Sequence, residues 1–102
     1  MANTIPHLLS PVEVQKLLGQ RLKELRLRAG FKRTTLAGRS GVSARSLQRF
    51  EDTGEVSLKN LLRLVNALGR LVEFAGLLDL PDVQSLEELE MRDKPAPRRG
   101  RI

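Results

Sequence analysis

The chain has no cysteine, no tryptophan, no tyrosine and one histidine, and its only aromatics are Phe31, Phe50 and Phe74. Without cysteine there are no disulfides, thiolate metal sites or cysteine nucleophiles, and a lone His7 cannot build a two-histidine zinc site. So few aromatics offer no platform for stacking unpaired bases, which disfavours single-stranded nucleic acid and leaves the duplex open. No apolar run approaches the ~18–20 residues a membrane-spanning helix needs, and no Lys or Arg precedes Lys16, so a cytoplasmic chain without a targeting segment is expected. A nucleophile beside a base, a metal-ligand cluster and a phosphate-cradling glycine loop are also missing; neither enzymatic activity nor a cofactor is expected. His7 reads as a solvated residue near the terminus.

What is present is basic charge, unevenly placed. The 102 residues fit one domain with one core. Net charge is +6, which favours a polyanionic partner, nucleic acid or anionic lipid. Between Lys16 and Arg49 there are ten basic residues and one acid, Glu24; between Phe50 and Pro97 there are ten acids and five basic residues. Arg98, Arg99 and Arg101 then close the chain. The two halves therefore suit different partners.

Every segment reads as helix. Ser10-Pro11-Val12-Glu13 has the form of a capping box with Pro at the first helical position, and Val14, Leu17, Leu18, Leu22, Leu25 and Ala29 follow at helical spacing, which predicts a helix over about 11–29 ended by Gly30. The apolar side of this basic helix is needed for the core, which weighs against a membrane-surface role. Leu27 falls on its opposite face, as a lone exposed Leu or a partner contact. Shorter helices follow at about 33–40 and 44–52, with Gly41-Val42-Ser43 between them and Ser43 a good N-cap. A helix over about 57–68 is capped by Ser57, and a very apolar one runs from about Arg70 to Leu78. After Pro81, Ser85-Leu86-Glu87-Glu88 is a second capping-box match, and the Pro- and Arg-rich residues from about 93 read as a tail. The expected organisation is an N-terminal arm over 1–9, one helical domain over 10–80, and a C-terminal extension over 81–102.

The informative stretch is Arg33-Thr-Thr-Leu-Ala-Gly-Arg-Ser-Gly-Val-Ser-Ala-Arg-Ser-Leu-Gln-Arg-Phe-Glu-Asp52. Two short helices joined by a tight turn can present one helix to a groove while the other braces it. This needs a small residue where they approach (Ala37), a turn residue (Gly41), and apolar anchors toward the first helix (Leu36, Val42, Leu47 and Phe50). Taken with Arg26-Leu-Arg-Ala-Gly30, residues 17–78 resemble the Xre/Cro-type helix-turn-helix family of DNA-binding regulators. The resemblance implies an all-α, five-helix, lambda-repressor-like helix-turn-helix domain, followed here by a short C-terminal extension. It also implies a structural ion pair between Arg26 and Glu51. The chain departs from the family pattern where Lys32 and Arg33 replace Thr or Ser followed by Gln, where Ser40 replaces an apolar residue, and at Gly38, which should cost up to ~1 kcal/mol inside a helix.

In such a domain the helix starting at Ala44 meets base edges with its leading end. Ala44 and Arg45 come first, Arg49 one turn later, and Ser46 and Gln48 lie at the margins. Arg45 and Arg49 are the principal candidates, because a guanidinium offers two coplanar donors to the O6 and N7 of guanine, while Ala44 suits a thymine methyl. The alternative for both arginines is phosphate contact alone. Lys32, Arg33, Thr34, Arg39 and Ser43 are candidates for phosphate contact, which sets register and salt dependence.

A small domain of this kind gains affinity by placing two recognition helices in successive major grooves, ~34 Å apart. A homodimer is therefore expected, with Leu71, Val72, Phe74, Ala75, Leu77 and Leu78 as its interface; these residues also suit plain intramolecular core. Arg49-Phe-Glu-Asp-Thr-Gly54, Ser57-Leu-Lys-Asn-Leu-Leu-Arg-Leu, Leu78-Asp-Leu-Pro81 and Ser85-Leu-Glu-Glu-Leu89 resemble the HipB-type antitoxins and autorepressors encoded beside HipA-type kinases. That resemblance implies a kinase toxin as partner, bound through the acidic half and the tail, unless those acids are only solvated linker. Two other functions stay open: a stand-alone repressor without a toxin, and a protein-interaction module whose DNA-binding helix is vestigial.

Overall fold

The computed structural model describes residues 9–81 and Gly100. His7, most of the arm over 1–9, the capping-box match at Ser85 and nearly all of the tail lie outside the described residues. Five helices and no strand make up the described fold: α1 (Pro11–Arg28), α2 (Arg33–Ser40), α3 (Ala44–Thr53), α4 (Leu58–Ala67) and α5 (Leu71–Ala75).

Three of the helices start on a serine. Ser10, Ser43 and Ser57 accept the backbone N–H of Glu13, Ser46 and Asn60, each at 3.1 Å, satisfying a donor that the first helical turn leaves over. Helix α2 has no such cap: Lys32 occupies the N-cap position without a side-chain hydrogen bond. The turn between α2 and α3 is closed instead from the other side, where the Val42 N–H donates to Ser40 Oγ at 3.1 Å. Ser40, where the family pattern has an apolar residue, thus serves the turn.

Leu22, Leu36, Val42, Leu47, Phe50, Leu64 and Val65 form the buried core, with Leu18, Phe31, Leu61 and Phe74 packed against it. At ~1.5–3 kcal/mol for each large apolar side chain withdrawn from water, this cluster is the main force holding the helices together. All four apolar anchors expected of the helix-turn-helix stretch belong to it. Helix α1 packs chiefly against α3, α2 against both α3 and α4, and α5 chiefly against α4.

The α1–α3 crossing depends on two glycines. A Cβ on Gly19 would sit 2.3 Å from the Phe50 carbonyl oxygen, and one on Gly54 would sit 2.4 Å from the Gln15 carbonyl carbon. Gly54 also has φ +82°, so its missing side chain serves both the left-handed end of α3 and the close approach of α1. Backbone therefore meets backbone at both places.

The last helix is shorter than the apolar pattern predicts, ending at Ala75 instead of about residue 78. The chain turns after Gly76, and Leu78 takes φ +63°, a left-handed conformation outside any right-handed helix. Hydrophobic content alone does not extend a helix whose residues find little to pack on, and Leu77 and Leu78 are both exposed.

Candidate nucleic-acid interface

The face that α3 turns away from the core is defined by what it buries. Leu47, Phe50 and Glu51 point inward. Arg45, Gln48, Arg49 and Asp52 are exposed and fall at helical steps of three and four, which places them on one outward stripe. Ala44 and Ser46 are half-buried at the start of the helix, and the exposed Ser43 both accepts the Ser46 N–H and donates to Ser46 Oγ at 2.9 Å. Ser43 is thus occupied as the cap of α3.

Glu51 fastens the back of this helix. Its carboxylate accepts from Arg26 Nε at 2.7 Å and Nη2 at 3.0 Å, while Arg26 Nη1 donates to the Phe31 carbonyl at 2.9 Å. The Arg26 side chain is 6% exposed and that of Glu51 is 0%. This bidentate pair ties α1 to α3 and to the turn before α2. A further arm was assigned elsewhere by sequence reasoning: Arg33 Nε donates at 3.0 Å to Glu51 Oε1, the oxygen that also accepts from Arg26 Nη2, and Arg33 Nη2 lies 3.9 Å from Asp52 Oδ1. Arg33 was expected on phosphate. In the structure its side chain is one-third exposed and engaged with Glu51. The first turn of α2 and the last of α3 meet here, a juxtaposition that residue spacing alone does not reveal.

Lys32, Thr34 and Arg39 are all exposed on or beside α2. The Arg39 guanidinium lies over the Phe31 ring, 4.6 Å from its centroid, which steadies the cation without removing it from solvent. With no side-chain cap at Lys32, the leading N–H groups of α2 also remain open to an anion.

Of the two arginines expected to read bases, Arg45 makes no hydrogen bond or ion pair among the described residues, but Arg49 does. Glu55, which sequence reasoning missed, accepts from Arg49 Nε at 2.8 Å and also from Arg49 Nη2 through the same oxygen, Oε2. Only the order of residues could have hinted at this: an acid placed just past a helix-ending glycine is brought back toward the last turns of that helix. A shallow groove of about 290 Å³ between α3 and the start of α4 is lined by Ser46, Arg49, Glu55, Ser57 and Asn60.

At the other end of the fold, Phe74 packs on the core, whereas Leu71, Val72, Ala75, Leu77 and Leu78 are exposed. No described helix is long and apolar enough to cross a membrane.

Neither a search of curated proteins nor one of solved structures found a match. A family model described as a helix-turn-helix domain matches residues 17–83, well over half the chain and inclusive of all five helices except the first turns of α1. With α2 braced behind an outward-facing α3, and with this match, the chain belongs to the helix-turn-helix domain family, an assignment that supports a DNA-binding regulator.

Proposed function

We propose that this protein is a sequence-specific regulator of transcription that binds double-stranded DNA as a homodimer, α3 entering the major groove. One observation carries the reading: α3 buries Leu47, Phe50 and Glu51 and turns Arg45, Gln48 and Arg49 outward from a helix fixed at its back. Arg45 and Arg49 contact bases with Ala44, Ser46 and Gln48 beside them, and Lys32, Thr34, Arg39, Ser43 and the outer part of Arg33 face the phosphates. The protein works in the cytoplasm, without a cofactor and without catalysing a reaction. The second half of a twofold operator is met by the partner protomer, joined through the exposed apolar residues of α5 and the turn after it.

The test is selection of duplexes from a randomised library by the full chain, followed by titration against selected and scrambled sequences. Arg45→Ala should remove preference at one base position, costing about 1–3 kcal/mol of discrimination there. Lys32→Ala should weaken binding to all duplexes alike and make the salt dependence shallower. Equal affinity of the unaltered protein for selected and scrambled duplexes would sink the reading and favour the interaction module.

Autorepression and inhibition of a HipA-type kinase form the finer version of this proposal. It is supported by the motifs around Arg49–Gly54 and Ser57–Leu64 and by the contrast between a basic helix-turn-helix half and an acidic C-terminal half. A kinase encoded by the neighbouring reading frame that co-purifies with this chain and loses activity on binding would support it; a regulator that folds and represses with no such neighbour is a stand-alone repressor.

A further inference from the structure

Building on the reading of α3 as the DNA-reading helix, we infer that Glu55 is a positioning residue for Arg49 and sets the base preference at the position Arg49 reads. A guanidinium has two edges that can form paired hydrogen bonds: one built from Nε and one Nη, the other from both Nη atoms. Glu55 occupies the first edge, taking Nε and Nη2 on a single carboxylate oxygen. The edge formed by Nη1 and Nη2 stays open, and its parallel donors match the O6 and N7 of guanine.

Glu55 is itself anchored. Thr53 Oγ1 donates to the Arg49 carbonyl at 2.7 Å and accepts the Glu55 N–H at 3.1 Å, so one hydroxyl links the backbones of both partners across the left-handed Gly54 turn. A long, otherwise free side chain is thereby held in one geometry before DNA arrives, lowering the ordering entropy charged to binding. The carboxylate has a second effect. It places a negative charge beside the reading face, opposes the approach of phosphates and partly neutralises Arg49, which weakens binding to any sequence that fails to engage the open edge. Arg45, with no such partner, contributes charge to every duplex and is less constrained in geometry. The two arginines thus differ in role although the sequence presents them as equivalents one turn apart.

The experiment compares four forms of the full chain in selection from a randomised duplex library: unaltered, Glu55→Gln, Arg49→Lys, and the double variant. Arg49→Lys keeps the positive charge and lacks the paired donors. Both side chains are more than half exposed, so the variants should fold, and matching thermal unfolding curves verify this. The expected result is a guanine preference that falls about fivefold or more in Glu55→Gln, at the position lost in Arg49→Lys and at no other. Affinity of Glu55→Gln for a non-selected duplex should rise about twofold or more at the same time, since one negative charge has left the phosphate-facing surface. In the Arg49→Lys background, Glu55→Gln should leave base preference unchanged. A guanine preference that survives Glu55→Gln, or one altered equally when Arg49 is already lysine, overturns the inference while leaving the DNA-binding reading intact. If the unaltered chain selects no motif at all, that reading itself fails, and the inference with it.

Discussion

Glu51 is the residue on which the orientation of α3 turns. Its carboxylate is wholly buried and receives three hydrogen bonds, two from Arg26 and one from Arg33. Glu51→Gln leaves the Arg26 charge in a dry site without its counter-charge, and a broken buried pair typically costs ~3–5 kcal/mol, a large share of the ~5–15 kcal/mol available to a small domain. Urea unfolding should show this as a fall in midpoint. Arg33→Gln should cost only about 1 kcal/mol, because Arg26 still satisfies Glu51 and Arg33 is already partly in water. The Arg26–Glu51 partnership was legible from the family resemblance, but the Arg33 arm was not: a long cation at the head of α2 suits phosphate as well as carboxylate. Only the packing of α2 beside α3 decides between them. Glu55 was missed for a similar reason, since its reach to Arg49 depends on how Gly54 turns the chain.

At the scale of elements, the five helices and most of their ends were readable from serine caps, glycine stops and the spacing of leucines. Glycines inside helices were less so, because their meaning lies in what faces them. A Cβ added to Gly38 would meet nothing within 4 Å, and the residue has no left-handed φ, so Gly38→Ala should stabilise α2 by about 0.5–1 kcal/mol in thermal or urea unfolding. Gly19→Ala should do the opposite, by roughly 1–3 kcal/mol or more, because the added carbon meets the Phe50 carbonyl and must push α1 off α3. Helix α5 is held differently. Arg70, at its N-cap, hydrogen-bonds Glu73, which holds the Glu73 carboxyl below the usual carboxylate range and raises Arg70 further. A lowered carboxyl stabilises the fold above its unfolded-state value and loses that contribution as pH falls through its folded-state value. Protection of the α5 amides, taken relative to the intrinsic exchange rate at each pH, should therefore fall on acidification below the ordinary carboxylate range, and Arg70→Gln should abolish that part of the pH dependence.

For the molecule as a whole, the segregation of charge separates surfaces by task. The basic α1–α3 half carries the proposed DNA face, and the exposed leucines and valine of α5 and its following turn lie on an element that packs chiefly against α4. Val72 is 78% exposed, so Val72→Glu should leave monomer stability within ~0.5 kcal/mol while blocking self-association, seen by sedimentation as a shift to monomer and in titrations as loss of tight operator binding. The apolar excess at this end was visible in the sequence, whereas its division into the packed Phe74 and the outward Leu71, Val72, Leu77 and Leu78 was not, since α5 stops early.

A carboxylate gripped from α1 and α2 gives α3, the proposed reading helix, no independent tilt. When a groove is too wide or too narrow, the adjustment then falls to the nucleic acid, whose stiffness varies with base step. Affinity in the proposed complex should consequently respond to the composition of the untouched base pairs between half-sites, with pliable pyrimidine–purine steps and rigid A-tracts ranking differently although no side chain contacts them.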